Sequence, residues 1–335
     1  MIKEIMQKLP NFFVKVIAVV FFILMGLNTL LVLTKTAIFP KDYQETLFYE
    51  NDNAILNIIF LIIFSIVILI LARYFKKIIS IKRLVLIVMI YSFIISILFA
   101  ILRRDYVQFD PFNVIDQANN FIRGNYSGLE KGNNYLYIYS HQITTVFIFQ
   151  IILSLFGRAT FILYIMQSFS ISFIIFMLYK ISNILFEDED TNYLVVILSA
   201  LCFPLVFYVA FVYGILPGMF LTLVAYYYFI KYTKQKEWYL LVVSAISINI
   251  AILFIGNNMI HMIAIFTAAV IYFIRKKDKK ILAFILSCLF LMTASKSIIY
   301  NYYEATSQKE IAPGVPKITW IAMGMQEGDR EAGWW

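Results

Sequence analysis

Asp105, Asp110 and Asp116 fall within residues 103–123 together with Arg103, Arg104 and Arg123, in the stretch RRDYVQFDPFNVIDQANNFIRGNYSGLEKGNNYLYIYS that runs from 103 to 140. Carboxylates in a loop can take a proton from a hydroxyl as general bases, or share a divalent cation. Guanidinium groups offer a planar fork to phosphate oxygens. On both sides of this polar island the chain is made of long runs of Ile, Leu, Phe and Val. Apolar helices anchor, and a polar loop between them is where chemistry or binding is to be sought.

The elements that position these groups are legible in part. Asp110 and Pro111 read as a helix start, Asp as the N-cap and Pro at the first helical position, and Gly124 reads as the stop. Between them the spacing predicts an amphipathic helix. Asp116, Asn119, Asn120 and Arg123 share one face, and Ile115, Ala118 and Ile122 share another that can lie against apolar neighbours. Tyr135, Tyr137 and Tyr139 suggest a segment at headgroup level, where tyrosine is enriched.

Of the 335 residues, 62% are hydrophobic and only 14% charged, and the mean hydropathy is +0.82, which excludes an ordinary soluble domain. Ten apolar runs are visible, at about 11–34, 54–72, 84–102, 141–156, 159–180, 191–211, 214–231, 238–255, 259–274 and 281–298. A spanning backbone must satisfy its own hydrogen bonds, so such runs predict helices, and the lack of period-two alternation argues against a β-barrel. The first is read as a retained signal anchor. Cys202 and Cys288 lie inside apolar runs without metal-ligand spacing and are read as packing residues. The net charge of +8 sits at helix ends, which speaks for topology and against a nucleic-acid partner.

Three basic connectors should be cytoplasmic: Arg73, Lys76, Lys77, Lys82 and Arg83; Lys231, Lys234 and Lys236; Arg275, Lys276, Lys277, Lys279 and Lys280. Five apolar runs separate the first two, so one must not cross. The shortest, 141–156, follows the polar island and is expected to be a juxtamembrane or re-entrant helix. The expectation is thus an all-α, polytopic transmembrane helical bundle, one membrane domain over 1–335 with about nine crossings in the cell membrane and a cytoplasmic N-terminus. Residues 103–158, the connector from Tyr213 to Pro217 and a tail over 299–335 should face outward, and the acidic run 187–190 inward. The tail stops on paired tryptophans without a further helix, as a truncated version of something longer would.

DPFNVIDQANNFIRGNYSGL, then YLYIYSHQ, an apolar run and Phe156-Gly157 resemble the first outer loop of membrane glycosyltransferases of the GT-C superfamily, the group that includes the protein O-mannosyltransferases and aminoarabinose transferases. In that family an Asp near the start of the loop precedes a small helix with Ala and then Gly, followed by Tyr, a Tyr-Pro or Pro-Pro pair, an apolar run and Phe-Gly. The likeness runs through Gly157 and weakens toward Pro204 and the Tyr213-Gly214 turn. Ser140 stands where the family usually has proline, and two apolar helices precede the one leading into the loop. The resemblance implies transfer of a sugar from a polyprenyl-phosphate carrier to a glycan or protein acceptor on the outer face.

In that reading Asp110 is the leading candidate for the base, with Asp116 and Asp105 next. Arg103, Arg104 and Arg123 are candidates for the donor phosphate, and Gln117, Asn120, Tyr139, His141 and Gln142 for substrate binding. The family contains metal-dependent and metal-independent members, so the reading takes either no cofactor or a divalent cation. Two other functions compete: a transporter or flippase of lipid-linked sugars, which would need polar or broken helices meeting near the midplane, and a polysaccharide polymerase, which would show an arginine-rich second large loop. His261, inside an apolar run, should be buried and paired. Gln326, Glu327, Asp329 and Arg330 read as a solvated charge run, with completion of an acceptor site from the outside as the alternative.

Overall fold

The computed structural model describes residues 2–38, 48–103, 107, 109–132, 134–316, 318, 319, 322 and 325. Arg104, Asp105 and the tail from Gln326 to Arg330 lie outside them. In chain order the elements are α1 (Ile2–Thr34), β1 (Lys35–Ile38), β2 (Phe48–Asn51), α2 (Ala54–Ile78), α3 (Ile81–Leu102), α4 (Phe109–Ile122), α5 (Tyr135–Ile138) and α6 (Ile143–Phe156). They continue with α7 (Thr160–Phe186), α8 (Glu189–Ala200), α9 (Phe203–Phe207), α10 (Ile215–Gln235), α11 (Trp238–Phe254), α12 (Met259–Lys276) and α13 (Lys280–Ser307).

This is an all-α, multi-pass membrane protein. Among the described residues seven helices are long and apolar enough to cross a membrane: 11–34 of α1, α2, α3, α7, α10, 256–276 containing α12, and α13. A bent pair, α8 and the turn 203–210 at 47°, makes an eighth if it counts as one span. The apolar helices 140–156 and 238–254 are shorter.

The chain divides into two compact units. In the first, Met1–Leu69 with Ile274–Lys277 and Val315–Trp335, α1 leads into an antiparallel hairpin that pairs Lys35 with Asn51 and Ile38 with Phe48. The Thr36 hydroxyl donates to Asp52 at 2.6 Å. Strands of four residues carry no alternation long enough to be read from sequence.

The second unit, Ile70–Phe273 with Asp278–Gly314, holds the polar island. Here α3 packs on α7, α7 on α10, α10 on α11 and α11 on α13. The first two basic connectors and residues 278–280 of the third converge on one end. Lys76 pairs with Asp190 at 2.6 Å, and Lys234 pairs with Glu187 and donates to the Ile184 carbonyl. Tyr232 donates to Asp278 at 2.6 Å, and Lys280 reaches the Lys236 carbonyl at 3.4 Å. Asp188 caps α8, accepting from the Thr191 amide at 2.8 Å. Since α3 leaves this basic end and α7 returns to it, residues 103–159 begin and finish at the opposite end. The intervening α6 therefore does not carry the chain across: its 14 residues rise only about 21 Å, against about 30 Å of hydrocarbon.

Some expectations are corrected. α4 begins at Phe109, whose φ is +56°, so Asp110 stands in the first turn and is not the N-cap. The stop at Gly124 has φ +76°, with the Gly124 amide on the Phe121 carbonyl and the Asn125 amide on that of Asn120, which is a Schellman closure. α13 runs on to Ser307, so 299–307 is helix and not tail. Ile299 and Tyr303 find buried places beside α4 and α6, and this packing outweighs the polar residues that made the run look finished. His261 is paired, with Tyr226 at 2.8 Å, but exposed. Cys288 is buried whereas Cys202 is exposed at the α8–α9 break.

In a Cys202→Ser/Cys288→Ser background, single cysteines at Lys82 and Lys236 should react with an impermeant reagent from one side of the membrane and a cysteine at Arg158 from the other. Labelling of all three from the same side would overturn the arrangement of α3 to α10.

Candidate active site

The apolar face of α4 sets the site. Pro111, Val114, Ile115, Ala118 and Phe121 are buried on that helix, packed on Ile143, Val146, Phe149 and Leu153 of α6. The Phe121 ring lies 4.9 Å from that of Tyr303 on α13. Spacings of three and four put these residues on one stripe, so docking the stripe turns Asp110 at the helix start toward the bundle end.

There Asp110 is exposed, and its Oδ2 accepts from the Tyr213 hydroxyl at 3.2 Å. The Tyr213 oxygen in turn accepts from the Gln142 amide, with the Tyr135 hydroxyl 3.4 Å away. The second proton on the Gln142 nitrogen faces His141 Nε2 at 3.2 Å, which requires a neutral imidazole carrying its proton on Nδ1. The amide oxygen of Gln142 is 3.3 Å from the Thr145 hydroxyl, which donates to the Phe254 carbonyl at 2.8 Å. One polar chain thus joins the start of α4, the entry to α6, the Tyr213 loop and the end of α11.

The backbone supports this order. The corner that lacks proline is made by one 3-10 turn, Ser140–Gln142. Tyr300 donates to the Ser140 carbonyl at 3.0 Å, and a Cβ at Gly314 would meet Ser140 Oγ at 2.6 Å. Lys309 pairs with Glu130 at 2.6 Å, so the segment after α13 straps the island from above. Gly214 has φ +82° and a Cβ there would stand 2.4 Å from the Phe254 oxygen, so only glycine lets Tyr213 approach. Gly157, φ +106°, ends α6.

Burial, and then the Asp110 charge, push the Tyr213 hydroxyl above the ordinary phenol range; burial, then Tyr213, does the same to Tyr135. Both stay protonated and donate. His141 is exposed as a residue, but its ring faces that of Tyr139 at 6.3 Å. Partial burial lowers its pKa, with Asp110 opposing and Lys296 assisting. A carboxylate and an ammonium therefore both act on this imidazole.

Of the sequence candidates, Asp110, Tyr139, His141 and Gln142 come together. Asp116 does not join them: six residues on, it lies about 240° around the helix and about 9 Å along it, where it accepts from Asn120 at 2.9 Å. Gln117 is turned onto Gly128, where a Cβ would strike its Oε1. Arg123 is exposed at the far end of α4, and Arg103 closes α3 near Tyr164 of α7. Asp105 and Arg104 are outside the described residues. Among the described residues no group of three His, Cys, Asp or Glu side chains could hold a metal ion.

Sequence reading missed the central roles of Tyr213, Tyr135, Tyr300 and Lys296. Lys296, exposed with its ammonium 5.0 Å from the Tyr300 ring, carried a usable signal as the one lysine inside the apolar run 281–298.

Beside the polar chain opens an apolar cleft of about 530 Å³ between α6, α7, α10 and α11. Ile152, Met166, Phe169, Phe173, Leu221 and Phe254 are in its wall, so Phe254 borders both the cleft and the site. No family model, curated protein or solved structure matches the chain.

Gly214→Ala should cost about 1–3 kcal/mol from forced left-handed backbone alone, visible as a lower melting temperature in detergent. Gly256→Ala, with open space around it, should leave melting unchanged. With two histidines in the chain, an imidazole-labelled sample should give two NMR titrations, and the one that survives His261→Gln should lie below the free-imidazole value. Because the folded pKa is lowered, stability linked to His141 is intact above the unfolded value of about 6.5 and declines as pH falls through it.

Proposed function

We propose that the protein is a glycosyltransferase of the GT-C type, which transfers a sugar from a polyprenyl-phosphate carrier to a cell-envelope glycan or other acceptor on the outer face of the plasma membrane. The supporting observation is an exposed carboxylate, Asp110, held by a protonated tyrosine next to an apolar cleft. Such a donor keeps its chain in hydrocarbon and its sugar phosphate at the interface, and a cleft of largely aromatic and aliphatic walls suits a prenyl chain.

In this reading Asp110 takes the proton of the acceptor hydroxyl while the sugar–phosphate bond breaks, and the leaving phosphate departs toward cationic groups. Lys296 joins Arg103, Arg104 and Arg123 as a candidate for that role, because it shares His141 as a neighbour with Asp110. Tyr213 and Gln142 orient the carboxylate. The topology that goes with it has nine crossings, α11 included and α6 excluded, with the N-terminus cytoplasmic.

The test is envelope glycan composition in a deletion strain carrying wild type or Asp110→Asn at matched protein levels. A sugar lost on deletion should return with wild type only, because removal of a general base costs about 10²–10⁴-fold in rate, and untransferred lipid-linked sugar should accumulate in the mutant. Full complementation by Asp110→Asn would make the loop a binding or structural element and end the catalytic assignment.

A further inference from the structure

A second cleft, of about 290 Å³, opens at the basic end between α7 and α10. Lys180, Asn183, Glu187, Tyr227, Lys231 and Lys234 are in its wall. Lys234 is neutralised by Glu187. Lys180 and Lys231 are half-buried, and each reaches the same ring: their ammonium groups stand 5.5 and 5.9 Å from the centre of Tyr227. Two like charges at one aromatic ring, with the Glu187 carboxylate in the same wall paired to Lys234, repel each other and gain from an anion placed between them.

The surroundings say what kind of anion. Phe169, Phe173, Phe176 and Lys180 follow one another at helical spacing on one stripe of α7. Phe169 and Phe173 are exposed, at 50% and 40%, and the Lys180 ammonium lies 5.9 Å from the Phe176 ring. A charged cleft thus continues into an aromatic track along a membrane helix. Free phosphate has no use for such a track, whereas a phospholipid has. By the positive-inside rule this end faces the cytoplasmic leaflet, where anionic lipids gather, and basic pockets between membrane helices there suit their head groups.

We propose that this cleft binds the phosphodiester head group of an anionic phospholipid between Lys180 and Lys231, with an acyl chain along Phe176, Phe173 and Phe169. The head-group site lies at the end of the unit opposite Asp110 and stands without the transferase reading, whereas the far part of the track, Phe173 and Phe169, also walls the apolar cleft described above. It differs from simple snorkelling, in which each lysine reaches water separately and no lipid is preferred.

Purified full-length protein in dodecyl maltoside is titrated with dioleoylphosphatidylglycerol, with dioleoylphosphatidylcholine and with inorganic phosphate, and bound lipid is read by native mass spectrometry. Saturable binding of the glycerol lipid over the choline lipid is expected. Lys180→Gln/Lys231→Gln should weaken it by about tenfold or more, since each basic group near a membrane surface contributes about fivefold and two are removed. Lys180→Arg/Lys231→Arg should retain it, which separates lost charge from lost fold, and Lys82→Gln/Arg83→Gln, equally basic but outside the cleft, should leave it intact. Equal binding of the two lipids, an unchanged glutamine variant or an equal loss in the outside pair overturns the proposal. Phosphate binding as tightly as the lipid, with the same lysine dependence, would overturn the lipid as occupant and leave a phosphate site.

Discussion

Everything at the polar end rests on the burial of α6, a helix too short to cross that starts and ends on one side of the unit. Backbone that is not helical survives at membrane depth only where protein covers it. The 3-10 turn before α6 has that cover, from Tyr300 above the Ser140 carbonyl and from the packed faces of α4 and α13, whereas Gly157 after it is exposed. Because α6 brings the chain back, a loop of some fifty residues stays on one side and its polar groups can meet Tyr213 and Lys296, which arrive on other helices. In hydrocarbon the usual reward for burying leucine is absent, so the contact depends on close fit and on hydrogen bonds with no competing water.

The two ends of the second unit are built by different physics. At the basic end, charged side chains pair across helix termini at exposed positions, where each pair contributes roughly 0–1 kcal/mol; their number and sign set orientation more than stability. At the polar end neutral donors dominate: tyrosine hydroxyls and an amide, each with its proton accounted for, surround one carboxylate. Partly buried hydrogen bonds of this sort fix geometry, since misplacing one partner leaves the next unsatisfied.

Much of this was legible in the sequence, though unevenly. The apolar runs became helices because membrane length and composition permit nothing else, and the basic connectors came together as charge bias alone required. Gly124 could be read as a stop because glycine takes the left-handed conformation there without steric cost, whereas Glu187, Lys236 and Gln308, which end α7, α10 and α13 in the same conformation, give no such signal. The start of α4 could not, since Asp and Pro fit the first turn as well as the cap. Tyr213 was legible only as the start of an outward connector, and only tertiary approach reveals which carboxylate it touches. The hairpin after α1 was too short to show a period, and α13 outran its apolar stretch because Tyr303 found a buried place that composition does not announce.

The Gly214 contact has a further consequence. With no side chain between Gly214 and the Phe254 carbonyl, the backbone of the Tyr213 loop lies directly against the end of α11, and the Thr145 hydroxyl donates to that same carbonyl. The position of the Tyr213 loop thus rests on a close main-chain approach that glycine at 214 alone allows. Side chains in the wall of the neighbouring cleft other than Phe254 take no part in that contact. The support of the polar centre and the shape of the apolar cleft are in this way separable properties that meet at Phe254.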